Sequence, residues 1–249
     1  MALNLVLNYG RVGSIGITEA LNGADCGPVL HLHKADAGLV GAELLRCLRD
    51  GMEVPQDLLW AAALDSFKRS NTLLNIVCPL REPFARDISA VTYGKAEVDN
   101  YIASDGFLND FFTRDVAFGT DWLLAHLMPF TGIDFFAQPF DKQAGYQVYR
   151  KNNIRLLLLQ TELGNEAKGL ALQDLLKTAQ PPQLRSMVNT SGYSEQVART
   201  IGQRMQAWDP APIKVDRMLS TFFYARADVA ASVARYGVDI GRLALPGAF

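Results

Sequence analysis

The chain has 249 residues, 49% of them hydrophobic and 20% charged, enough for one large α/β domain with a substantial core. A net charge of −2 gives no reason to expect non-specific nucleic-acid binding, so any anion site has to come from local placement of arginines and backbone amides. Three cysteines, Cys26, Cys47 and Cys78, are too sparse and uneven for a disulfide framework, and nothing has the Cys/His spacing of a zinc site.

In chain order, Leu3–Leu7 reads as a strand with Leu3, Leu5 and Leu7 on one face. The start, Met1-Ala2-Leu3-Asn4, lacks the basic stretch of a secretory signal. No apolar run approaches the roughly 20 residues that span a bilayer, so the expectation is a soluble protein of the bacterial cytoplasm. A helix follows from Ser14 to about Leu21, ended by Asn22-Gly23. The second strand is Val29–His33. Helical sequence covers Ala37–Leu48, with Cys47 as a core thiol, and then Pro55–Lys68 with its proline near the first turn. The third strand is Leu73–Cys78, and a helix runs from about Glu82 to Val91. This alternation predicts a parallel sheet with helices on both faces.

The middle, from Tyr93 to Gln138, is rich in aromatics (Phe107, Phe111, Phe112, Phe118, Trp122) and reads as helices packed over the sheet, with these rings in the core. Tyr146–Tyr149 reads as a short strand and Ile154–Leu159 as a buried one, followed by Gln160-Thr161-Glu162. The last third reads as helical: Glu166–Lys177, Ser194–Trp208 and Val215–Tyr236, separated by Gln180-Pro181-Pro182 and Asp209-Pro210-Ala211-Pro212. No repeat, low-complexity stretch or linker divides the chain, which reads as a single domain over 1–249.

Two segments stand out, each a strand, a tight loop and a helix start. Loops of this kind hold anions, because backbone N–H groups are free there and the helix dipole is positive. In the first, Gly10-Arg11-Val12-Gly13-Ser14, Gly13 permits close backbone approach, Arg11 brings a fork of donors and Ser14 stands where an N-cap would be. In the second, Arg81-Glu82-Pro83-Phe84-Ala85-Arg86-Asp87-Ile88-Ser89, Pro83 fits a first helical turn, and Arg81 and Ser89 are about two turns apart. Arg86, between them, reads as a solvated or salt-bridged residue. Two phosphate-type loops in one sheet suggest a ligand with phosphate at both ends. There is no Gly-Lys-Ser/Thr pattern of a Walker loop.

These residues resemble the 5′-phosphosulfate loop and the 3′-phosphate motif of sulfotransferases that use 3′-phosphoadenosine 5′-phosphosulfate. The Arg-x-Pro-x-x-Arg-x-x-Ser pattern at Arg81, Pro83, Arg86 and Ser89 has that family's spacing. Gly10–Ser14, Val29–Lys34, Tyr149-Arg150-Lys151 and Phe222-Phe223-Tyr224 resemble its branch of capsular polysaccharide synthesis proteins. The resemblance implies a P-loop-like three-layer fold with a helical C-terminal third. It implies 3′-phosphoadenosine 5′-phosphosulfate as co-substrate, held by Arg11, Val12, Gly13, Ser14, Arg81 and Ser89 without a metal, and a hydroxyl acceptor of the carbohydrate class. The chain departs from the family in carrying Arg11 where many members have lysine and Ile15 and Gly16 where they have hydroxyls. No late Gly-rich loop over adenosine is recognisable.

Sulfuryl transfer needs charge stabilisation, an aligned acceptor and a base. Arg11, Gly13 and Ser14 serve the first need. Ligands in open α/β sheets bind beyond the strand ends, which points to His33 as base, with His31 on the same face and Lys34 next. The plain alternative is a hydrogen-bonded core histidine. Glu162, after the Leu156–Leu159 run, is a second candidate, and His126 reads as structural. A non-catalytic binding or assembly protein that keeps the fold is the competing expectation. A glycosyltransferase is a third, disfavoured by the lack of an Asp-x-Asp metal motif.

Overall fold

The computed structural model describes residues 2–35, 37–184, 195–208 and 211–245. In chain order the elements begin β1 (Ala2–Leu7), α1 (Ser14–Gly23), β2 (Val29–Leu32), α2 (Ala37–Arg49), α3 (Gln56–Arg69), β3 (Leu73–Leu80) and α4 (Pro83–Val91). Next come α5 (Val98–Ala103), α6 (Asp105–Thr113), α7 (Phe118–Trp122), a π-turn (Leu123–Leu127) and α8 (Met128–Thr131). The rest are β4 (Tyr146–Lys151), β5 (Ile154–Gln160), α9 (Asn165–Leu176), α10 (Glu195–Trp208), α11 (Arg217–Phe223), α12 (Arg226–Ala234) and a short 3₁₀ turn. Ser194, Asp209 and Pro210, expected at a helix start and a break, lie outside the described residues.

The chain falls into two compact units, each made of two chain segments: Met1–Leu80 with Asp121–Ser186, and Arg81–Thr120 with Met187–Phe249. The first holds a five-stranded sheet in the order β2-β1-β3-β5-β4. Four strands are parallel, as the alternation predicts, but β4 runs antiparallel to β5. The cause is local. Only Asn152 and Asn153 separate β4 from β5, with Asn152 at φ 52°, and so short a link joins only antiparallel strands.

The central strands β1, β3 and β5 are buried almost throughout, as strands covered on both faces must be. On one face Val6, Val77, Leu157 and Leu159 pack against Ile17, Ala20 and Leu21 of α1 and Ala171, Leu172 and Leu175 of α9. α2 and α3 pack on each other through Val40, Cys47, Leu58 and Ala61. β3 runs two residues beyond the expected Cys78, through Pro79. Leu80 turns its carbonyl to Thr161 N at 2.8 Å on the β5 side, so the missing N–H of Pro79 falls on the other side, where pairing with β1 has already ended at Val6 and Val77. Burial pushes the Cys78 thiol well up, as suits an inert core residue.

The second unit has its own aromatic core. Phe84 of α4 meets Phe111 of α6 edge-on at 5.9 Å and Tyr236 at 5.5 Å, and Phe107 adds to Phe111 at 6.2 Å. Phe107 and Phe111 are core residues, as expected, and the core they fill is this helical unit's own. Asp216 caps α11 and accepts from Thr120 N, Thr120 Oγ1 and Leu219 N; burial nonetheless pushes its carboxyl up. Among the described residues no helix is long and apolar enough to cross a membrane.

Candidate functional site

In the order β2-β1-β3, the chain passes from β1 to one neighbour and later returns to the other. The crevice beyond the C-terminal ends of β1 and β3 is therefore a topological switch point, where open α/β sheets bind ligands. The loop after β1 lies there. Gly10, Arg11 and Gly13 all have positive φ, at 82°, 60° and 69°. A left-handed arginine costs about 1–2 kcal/mol, and such strain is held where a loop has a task.

Gly13, not Ser14, takes the N-cap position of α1, with no side-chain cap. Ser14 is the first helical residue and is buried. The pairing of left-handed Gly13 with helical Ser14 turns successive amides to one concave side, a geometry that suits anions. Val12, between Arg11 and Gly13, is fully buried. A Cβ built on Gly13 would lie 3.8 Å from Thr161 Cγ2, so this loop reaches the end of β5.

Next to the loop lies an imidazole pair. His31 and His33 have ring centroids 5.2 Å apart. β2 ends at Leu32, so His33 stands one residue past the strand and is exposed. Its Nδ1 is 3.2 Å from the Asn8 carbonyl oxygen and donates to it, which leaves Nε2 as the basic nitrogen. The backbone of His33 is held too: its carbonyl accepts from Trp122 Nε1 at 2.8 Å. Trp122 packs against Tyr9 at 5.9 Å and His126 at 5.4 Å. His126 sits on the π-turn, a rare backbone form that recurs at functional sites. Lys34 hydrogen-bonds the Glu43 carboxylate and holds it below the usual carboxylate range, with smaller contributions from Arg46 and His126.

Glu162 follows β5 and is exposed beside Lys168, whose ammonium is shifted down by burial against the opposing pull of Glu162. β5 and β2 are three strand positions apart, about 14 Å at ~4.8 Å per strand. Glu162 and His33 are thus alternatives, not partners.

The second segment belongs to the other unit and is built differently. Glu82 is the N-cap of α4, and its carboxylate accepts from Phe84 N at 3.1 Å and Ala85 N at 3.0 Å. Ser232 Oγ donates to the same carboxylate at 2.7 Å, and Glu82 is buried. The amides expected to be open to an anion already hold one. Arg81 is half-buried, and Ser89 is fully buried inside the helical core. Arg86 bonds Asp87 at 3.1 Å and stacks on Phe118 at 4.6 Å, while Asp87 also takes Arg114 Nε at 2.6 Å. Arg86 is thus salt-bridged, as expected.

The first loop and both histidines lie at the same end of the parallel strands, while Asn8 and Trp122, which bond to His33, are not among the expected site residues. His126 is buried against Trp122, as a structural residue would be. Asn8-Tyr9-Gly10 did carry a signal, since Asn two residues before Gly is the pattern of an Asx turn. Among the described residues no group of His, Cys, Asp and Glu side chains could hold a metal ion. No family model, curated protein or solved structure matches the chain.

Proposed function

We propose that this protein transfers a sulfuryl group from 3′-phosphoadenosine 5′-phosphosulfate to a hydroxyl, of the carbohydrate class by resemblance. The observation that carries this reading is the pairing of a loop with positive φ at Gly10, Arg11 and Gly13 and no side-chain N-cap with an exposed imidazole whose Nδ1 is already bonded. The co-substrate supplies an activated sulfuryl group: a sulfur–oxygen bond forms to the acceptor while the one to phosphate breaks. The residues then divide the work. Arg11 and the amides from Gly13 onward take up negative charge on the transferring group and the leaving phosphate. His33 Nε2 takes the proton of the acceptor hydroxyl. Arg11 stays charged and stabilises without donating a proton. The P-loop-like layering and helical C-terminal third belong to the same reading.

The first loop fits a phosphosulfate end. The second segment fits a 3′-phosphate less well, since Glu82 occupies the α4 amides and Ser89 is buried. That observation favours, as a second reading, a non-catalytic nucleotide-binding or assembly protein. Isothermal titration separates these outcomes. The sulfotransferase reading expects 3′-phosphoadenosine 5′-phosphate to bind more tightly than AMP; equal affinity removes the 3′-phosphate assignment. Absence of binding by either nucleotide removes the donor itself. Tight binding without transfer to any hydroxyl acceptor supports the second reading.

A further inference from the structure

Asn8, fully buried at the end of β1, makes four hydrogen bonds that join the anion loop to the imidazole pair. Its backbone N donates to Leu32 O at 3.1 Å, and its carbonyl accepts from His33 Nδ1 at 3.2 Å. Its side-chain Oδ1 accepts from Gly10 N at 2.8 Å, and Nδ2 lies 2.8 Å from His31 Nε2. The Gly10 contact fixes which way the carboxamide points. A backbone N–H can only donate, so Oδ1 faces the loop and the NH₂ group faces His31. That NH₂ group can only donate, so His31 Nε2 must be the unprotonated acceptor and the His31 proton must sit on Nδ1.

We propose that Asn8 is a positioning residue that sets the proton placement on both imidazoles and ties it to the shape of the glycine loop. His33 is held with its proton on Nδ1 and Nε2 basic, and His31 is held neutral in the same tautomer. The role assigned to His33 rests on the sulfotransferase reading; the tautomers do not. The ionisable groups that share this corner are His33 itself, the Lys34–Glu43 pair and His126, whose charge reaches Glu43.

The test is ¹⁵N nuclear magnetic resonance of the ring nitrogens at a pH where all three imidazoles are neutral. In the wild type, both His31 and His33 should show the proton on Nδ1 and a pyridine-type resonance on Nε2. Finding the His31 proton on Nε2 overturns the proposal without any variant. Asn8→Asp then supplies the discriminating change. Its carboxylate still accepts from Gly10 N but cannot donate, so His31 should move its proton to Nε2 while His33, bonded to the main chain, keeps its own on Nδ1. Asn8 as a mere packing residue would leave both tautomers unchanged, which also overturns the proposal. Titration of each protein with 3′-phosphoadenosine 5′-phosphate separates the two claims. Correct tautomers without nucleotide binding sink the sulfotransferase reading alone, and nucleotide binding with the wrong tautomers sinks the positioning role alone.

Discussion

At the start of α1 no side chain caps the helix, and the loop before it carries three residues at positive φ. At the start of α4 a buried carboxylate fills the same position, with two amides and a serine hydroxyl bonded to it. Both segments share a pattern of strand, tight loop, arginine and helix. They differ in one residue type at the N-cap: Gly13 offers no acceptor, and Glu82 offers two oxygens. Helix starts need their amides satisfied, and a chain can leave that to a ligand or do it internally. The arginine is therefore a poor guide to an anion site, and the residue at the cap is a better one.

The sharpest division between the two regions should be kinetic. His33→Ala should slow transfer by roughly 10²–10⁴-fold while nucleotide affinity holds, since a positioned base contributes about that much. His31→Ala is the control. Full activity with both histidines replaced would hand the role to Glu162. For the capped region the largest effect should be on folding. Glu82→Ala removes charge-assisted bonds from a buried cap and should destabilise the protein by about 2–4 kcal/mol in urea unfolding. The same variant should let inorganic phosphate shift the amide resonances of Phe84 and Ala85, which it should not do in the wild type.

How far these differences could be read beforehand depends on what kind of interaction made them. Strands β1, β3 and β5 were legible because runs such as Leu73–Cys78 and Ile154–Leu159 are apolar on both faces, and helix boundaries fell within a few residues of Gly and Pro signals. The antiparallel direction of β4 is hidden in the sequence because the strand signal of Tyr146–Tyr149 fades before Lys151, where only two residues separate it from Ile154. The two units leave no linker to find, since each is assembled from two separate stretches of chain. Among the candidate site residues, Arg11 and His33 are legible by residue type. Trp122 and Ser232 act through contacts made 89 and 150 residues away in sequence, which no local spacing encodes.

Two smaller effects refine the open loop. Arg11→Ala should weaken nucleotide binding by about 10- to 100-fold, the worth of one charge-assisted hydrogen bond of about 1.5–3 kcal/mol, with the melting temperature unchanged. A collapse in stability would make Arg11 a structural residue. Gly13→Ala should cost about 1–2 kcal/mol in unfolding experiments, from left-handed strain alone, because the added methyl group meets Thr161 at an ordinary contact distance. A much larger loss would mean that the loop has no room to adjust.

The π-turn at Leu123–Leu127 has a consequence for the helical phase of this segment. It holds one residue more per turn than an α-helix needs, so removing a single residue such as exposed Ala125 would restore regular winding. The repaired helix would rotate everything on one side of the deletion by about 100° relative to the other. Trp122 and His126 lie on opposite sides of that point, so they could not both keep their present directions. The irregular winding and the tryptophan–histidine stack beside His33 are in this sense one feature: the regular helix is open to this sequence only at the loss of that alignment.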